Sequence, residues 1–283
     1  MIYRRMAVIG IGQIGASFAL AAKAAGAIRR VVGVARSQQT RDMAMQVGAA
    51  DSCTEDLAAA VAKADLVYLA VPVRAMRQVM TDISPALAPG CLVTDAGSTK
   101  AEICCWASEI LPPEVHFIGG HPMAGTEKHG PASASGSLFA NTTYLLCPMQ
   151  APQEVADRFR SLVEAIGARP VAVSPDEHDR VLAYSSHLPH LCAAVLSLTL
   201  KRRDIENVTS FAGGGLRDTT RIAAADVEMW RDIMAANGSA IVAATEQFCE
   251  ALSDFTDAVI AEDWEQVAEL LAEAKSYRDS LYG

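Results

Sequence analysis

A short β-branched run at residues 6–9 leads directly into Gly10-Ile11-Gly12-Gln13-Ile14-Gly15 and then into an alanine-rich helical pattern. Strand, GxGxxG and helix in that order form the turn on which a dinucleotide-binding fold is built. Gly10 permits the tight turn, Gly12 lets a pyrophosphate approach the backbone, and Gly15 allows the helix to pack closely on the sheet. The helix N-terminus then faces the anion, so Gly10, Gly12, Gln13, Ile14 and Gly15 are the expected cofactor contacts. A GxGxxG alone is a weak signal; here the preceding strand, the spacing and the N-terminal position agree.

The first half continues the alternation. Strands are expected at residues 31–35, 66–71, 92–95 and 117–119, with Ala- and Met-rich helical segments between them, which predicts a parallel sheet with helices on both faces. Further apolar runs at 143–147 and 170–173, with a helix near 152–166, extend that sheet. After Ser174 no segment reads as a strand, and residues 179–200, 226–252 and 263–281 carry helical spacing. Gly213, Gly214 and Gly215 form the one expected flexible break. The expected fold class is α/β: a Rossmann-type dinucleotide-binding domain with an extended sheet over residues 1–174, then an all-helical domain over 175–283.

A formal net charge of -9 argues against a general nucleic-acid or membrane-surface binder, because both need clustered Lys and Arg. A small-molecule partner fits better. The seven cysteines are odd in number, contain no CxxC and lie in apolar segments, so reduced thiols are expected. Arg4 and Arg5 ahead of an apolar run mimic a signal peptide, but that run reads better as strand, turn and helix. No uninterrupted apolar stretch reaches the ~20 residues that span a bilayer, and a cytoplasmic location is expected.

The second strand ends in Gly33-Val34-Ala35-Arg36-Ser37, where an NAD-binding chain usually offers an acid to the ribose hydroxyl. Arg36 instead suits a 2′-phosphate, with Ser37 and Arg41 close enough in sequence to assist. NADP is the expected cofactor and NAD the alternative, since Arg36 also reads as a solvated residue stacking on adenine.

Three later segments place polar residues where strands end or helices begin. In Asp95-Ala96-Gly97-Ser98-Thr99-Lys100, Ser98 reads as a helix N-cap, a substrate contact, or both. In Gly119-Gly120-His121-Pro122-Met123-Ala124-Gly125-Thr126-Glu127, His121 is poorly placed for a core and suited to accept a proton from an alcohol being oxidised. Its flanking glycines would admit substrate or nicotinamide. The third, Ser185-Ser186-His187-Leu188-Pro189-His190, lies in a helical pattern that Pro189 should kink. His187 and His190 share a helical face without a carboxylate or cysteine at matching spacing, so no metal site is expected. Arg221, beyond the glycine turn, reads as a carboxylate clamp or as a structural ion-pair partner.

With these residues in place, the sequence resembles the prephenate and arogenate dehydrogenase family over essentially its full length. The glycine fingerprint, Gly97-Ser98-Thr99-Lys100, GGHPMAG at 119–125, SHLPH at 186–190 and RDTTR at 217–221 follow the family's order and approximate spacing. GGHPMAG followed by SHLPH is the specific part. The resemblance implies that His121 accepts the hydrogen bond of the ring hydroxyl, that Arg221 holds a substrate carboxylate, and that Ser98, Thr126, Ser186, His187, His190 and Trp230 line the pocket. It also allows Trp230 to enter from a partner subunit, because the family's helical domain usually forms a homodimer interface. Because the chain ends at Gly283, no additional regulatory domain is expected. The implied reaction removes the C4 hydride of a cyclohexadiene while His121 takes the hydroxyl proton; the ring then loses carbon dioxide and becomes aromatic. Prephenate and arogenate both fit, with His190 favouring the pyruvyl side chain of prephenate. A β-hydroxyacid or imine-type NADP dehydrogenase and a non-catalytic NADP sensor are the alternatives; the first would rely on a helical-domain Lys or Asp, yet Lys201 and Lys275 sit in charged surroundings.

Overall fold

The structure is a computed structural model and describes residues 1–125, 128–203 and 207–282. Strand β1 (Tyr3–Ile9) turns at Gly10 into α1 (Gln13–Ala24), followed by β2 (Ile28–Val34), α2 (Gln38–Gln46), β3 (Ser52–Thr54), α3 (Leu57–Val61), β4 (Leu66–Leu69), α4 (Val73–Ile83) and β5 (Leu92–Asp95). Next come α5 (Ala101–Ile110), β6 (His116–Pro122), β7 (Thr143–Cys147), α6 (Gln153–Ala165) and β8 (Arg169–Ala172). Among the described residues the strands form one eight-stranded sheet in the order β3-β2-β1-β4-β5-β6-β7-β8. β7 runs antiparallel to β6, and the other pairs are parallel.

The strand order reverses between β1 and β4, which opens a crevice at their carboxyl ends, where open α/β sheets bind ligands. Both faces of the sheet are covered. Phe18, Phe139, Tyr144 and Phe159 fill one side, with Phe18 stacked on Tyr68 at 4.1 Å between ring centres. Met76, Met80, Val93, Ile103 and Phe117 fill the other. Continuous apolar strands are what a doubly covered parallel sheet requires.

Two strand expectations change. The short β3 has too few residues to show a period. β6 runs on through Pro122 because β7 pairs with it at His121 and Pro122, so His121 sits within a strand rather than beyond one.

After β8 the described chain is helical: α7 (Pro175–Leu182), a π turn (Ala183–His187), α8 (Leu188–Arg203), α9 (Val208–Phe211), α10 (Gly214–Thr220), a 3-10 turn (Arg221–Ala224), α11 (Val227–Ala236), α12 (Gly238–Ile260) and α13 (Trp264–Tyr282). Ser174 caps α7 by accepting the Glu177 N–H, and Pro175 takes the first helical position. The expected kink at Pro189 takes the form of the π turn just before it, where the ladder is already interrupted. Pro175–Arg203 is thereby one helical span, long and apolar enough by length and composition to cross a bilayer; its buried His178, Asp179, His187 and His190 give it a polar side directed into the protein. The three glycines at 213–215 start α10 instead of leaving a plain break, and the expected helix at 226–252 divides at Asn237.

Candidate active site

The glycine turn has the shape its sequence requires. A Cβ on Gly10 would lie 2.4 Å from the Ala70 carbonyl oxygen and one on Gly15 would lie 2.5 Å from that of Gly10, whereas one on Gly12 would meet nothing within 4 Å. Two glycines are therefore held by packing, and the third faces the open space a pyrophosphate needs. Gln13 and Ile14 open α1 behind it. Arg36 is exposed at the end of β2, Ser37 caps α2 by accepting the Thr40 N–H at 3.4 Å, and Arg41 donates to the carbonyls of Ala35 (2.8 Å) and Arg36 (2.9 Å). Arg41 thus holds the loop, with Gln38 and Glu55 as further partners, and Arg36 is the cation directed to solvent.

His121 is buried near the end of β6, 9% exposed. Its Nδ1 lies 2.9 Å from Nε2 of His178, whose Nδ1 lies 2.7 Å from Oδ1 of Asp179. Asp179 also accepts the backbone N–H groups of Lys100 at 2.7 Å and Ala101 at 2.9 Å. Because both carboxylate oxygens act as acceptors, the proton on Nδ1 belongs to His178. The other nitrogen of neutral His178 must then accept, so His121 donates from Nδ1 and presents a bare Nε2. The arrangement fixes a tautomer that can take a proton and then share the resulting charge with a carboxylate two rings away.

Burial, foremost, and then the neighbouring His178, Lys100 and His187 hold His121 well below the usual histidine range. His187 is lowered to about 4, chiefly by burial against the opposing pull of Asp179. Burial also lowers His190. The Asn237 amide donates to the Asp179 carbonyl at 2.7 Å and lies 3.2 Å from Nδ1 of His187. Trp230 stacks on His190 with ring centres 3.5 Å apart and planes 6° from parallel, and meets His187 edge-on at 6.0 Å. Trp230 makes both contacts from within the same chain. Among the described residues, Nδ1 of His190 is buried without a hydrogen-bond partner.

The remaining expectations divide. Ser98 is half-buried and does not cap α5, whose N-cap position is Lys100. Ser186 is half-buried in the π turn. Arg221 is exposed, in a turn that packs against α8. Thr126 lies outside the described residues. Gly119 and Gly120 are explained by packing rather than by ligand approach: a Cβ on Gly119 would stand 3.0 Å from Cys104 Sγ, and one on Gly120 2.5 Å from the Asp95 carbonyl. Among the described residues no group of three or more His, Cys, Asp or Glu is arranged for a metal ion.

His178, Asp179 and Asn237 were not anticipated from sequence. One signal was present: Asp179, Ala183, His187 and His190 recur at near-helical spacing, and following that face two turns back from His187 reaches Asp179. Asn237 gave none, since it comes from a distant helix end.

Known proteins match both halves of the chain. Residues 18–172 match the family model of the prephenate dehydrogenase nucleotide-binding domain, and residues 174–273 that of the prephenate dehydrogenase dimerization domain. The chain belongs to the prephenate dehydrogenase family. It is 35% identical to a prephenate dehydrogenase of Bacillus subtilis, over 96% of this chain and 74% of that protein. It is 33% identical to a cyclohexadienyl dehydrogenase of Zymomonas mobilis, over 99% and 97%. Among solved structures, prephenate dehydrogenase from A. aeolicus in complex with hydroxyphenyl propionate and NAD+ superposes with a TM-score of 0.92 at 30% identity, covering 98% of each chain. Membership joins the Rossmann-type sheet and the helical half into one enzyme architecture.

Proposed function

We propose that this chain oxidatively decarboxylates prephenate, with arogenate as a second substrate, and uses NADP as hydride acceptor. The reading is carried by the buried histidine whose bare Nε2 is fixed by the His178–Asp179 chain. Prephenate and cyclohexadienyl dehydrogenases among its relatives support the substrate class.

His121 accepts the proton of the ring hydroxyl as the C4 hydride leaves. His178 accepts from the imidazolium that results, and Asp179 balances its charge. Gly10, Gly12 and Gly15 would hold the NADP pyrophosphate, and the cofactor would supply the hydride acceptor. The electrons of the bond to the carboxylate then enter the ring, carbon dioxide departs, and the ring oxygen takes the proton back from His121, giving the phenol of 4-hydroxyphenylpyruvate, or of tyrosine from arogenate. Ser98 and Ser186 line the substrate space. Arg221 pairs with a substrate carboxylate. His190, kept neutral by burial, offers a ring N–H rather than a charge to the side-chain keto group, which favours prephenate. Arg36 supports NADP over NAD, with Ser37 beside the same phosphate; the loop bonds of Arg41 make its part there one of support. The enzyme works in the cytoplasm as a homodimer joined through the helical half.

Turnover of prephenate and of arogenate, each with NADP and with NAD, tests the proposal through reduced nicotinamide and carbon dioxide released in equal amounts. The highest kcat/KM is expected for prephenate with NADP. A preference for NAD would remove Arg36 from its role, and cofactor binding without turnover of either substrate would overturn the proposal.

A further inference from the structure

We propose that the fully buried Asp95–Lys100 ion pair is a positioning device for His121, and that the Lys100 ammonium keeps this histidine free to accept a proton. The proposal rests on His121 being the proton acceptor.

Asp95 ends β5 and Lys100 precedes α5, and neither side chain is exposed. One Asp95 oxygen accepts the Gly120 N–H at 3.0 Å, immediately before His121, while the other accepts the Gly97 N–H at 2.7 Å and the Lys100 ammonium. The backbone N–H of Lys100 reaches Asp179 at 2.7 Å. A continuous set of buried bonds therefore runs from the His121 strand, through Asp95 and Lys100, to the carboxylate that orients His178. The lysine stem lies along the same strand, since a Cβ on Gly119 would come within 3.1 Å of Lys100 Cδ. A dry ion pair is retained only where its geometry is well satisfied, and here Asp95 anchors the backbone just before His121 while the backbone of Lys100 is held by Asp179.

The groups facing His121 are His178 and Asp179 from α7, His187 from the π turn, and Asp95 and Lys100 from the β5–α5 connection. Asp95 and Asp179 favour an imidazolium. Lys100 opposes it and acts together with the burial of the ring. Protonating His121 before substrate arrives would remove the acceptor, so the ammonium extends the working range toward acid pH.

The test is the pH profile of kcat/KM in Lys100→Gln against Lys100→Arg. The acid limb is expected to move to higher pH by about half a unit or more in Lys100→Gln and to stay in place in Lys100→Arg, with cofactor affinity within about twofold in both. Asp95→Asn combined with Lys100→Met, which removes both charges and leaves neither unpaired, tests the positioning should Lys100→Gln not fold: its plateau kcat should fall about tenfold with the limb near its wild-type place. An unmoved limb in Lys100→Gln, or a wild-type plateau in the double variant, would show the pair to be structural only. Near-wild-type kcat in His121→Asn would instead overturn the parent reading, so the two failures are distinguishable.

Discussion

Between β1 and β8, side chains as large as Phe18, Tyr68, Met76 and Phe159 are shut off from solvent, whereas beyond Pro175 the enclosed apolar cluster consists of Ala183, Ile241 and Ala244. The same helical half leaves Phe211, Val227 and Ile260 exposed by 85%, 78% and 75%. The contrast teaches a division of labour. The sheet half has a core of its own, while the helical half presents apolar faces of α12 and α13 that another surface must cover. The match of residues 174–273 to a dimerization domain supports a second copy as that cover. The site residues of this half come from other elements, His187 from the π turn, His190 from α8 and Trp230 from α11, with Asn237 at the start of α12 as the link between them.

The strongest way to break this contrast is to charge the apolar surface. Leu252→Glu with Ile260→Glu, at positions exposed in the single chain, should raise the dimer dissociation constant by about 10³ or more, roughly 4 kcal/mol. Analytical ultracentrifugation should then show monomer, and hydrogen exchange should rise in the helical half alone. Unchanged sedimentation would remove the second copy from those faces.

Within the sheet half, two glycines should separate stability from ligand binding. Gly10→Ala forces a Cβ against the Ala70 carbonyl at a φ of +87° and should cost roughly 3 kcal/mol of stability. Gly12→Ala meets no protein atom; its melting temperature should barely change while NADP affinity falls about tenfold. Equal stability of the two variants would contradict the assigned turn geometry.

The helical half should be the more sensitive to acid. His187 titrates near 6.5 when unfolded and about 4 when folded. As pH falls below 6.5, the unfolded chain gains a proton that the folded site refuses, so stability declines until about pH 4 and levels off below. His121 and His190 act with the same sign. The loss from His187 is up to about 3 kcal/mol, readable from urea unfolding at pH 7 and pH 4.5, and His187→Asn should flatten part of that slope. A steeper slope in the variant would contradict the assignment.

A smaller effect is expected at Arg221. Its change to Ala should raise the substrate KM about tenfold with NADP affinity unchanged; an unchanged KM would count against the carboxylate clamp.

The sheet half was the more legible in sequence, because a strand–glycine–helix turn and β-branched runs are local signals. Even there, β3 was too short to read, and the extension of β6 through Pro122 depends on β7, a partner 21 positions beyond it. At the site, His121, His187 and His190 were marked by their motifs and Trp230 by the family resemblance alone, and they do come together. Asp179 and Lys100 were harder to read because each acts through the other's element: the backbone of one helix start is bound by the carboxylate of another. Such contacts between distant segments leave no period or spacing in the chain.

The most direct test of the account is His121→Asn, with kcat measured for prephenate and NADP affinity measured separately by fluorescence titration. Asn keeps a hydrogen-bonding side chain but cannot accept the proton, so kcat should fall roughly 10²–10⁴-fold while the cofactor dissociation constant stays within about twofold. A near-wild-type kcat would contradict the assignment of His121 and, with it, the role given to the His178–Asp179 chain.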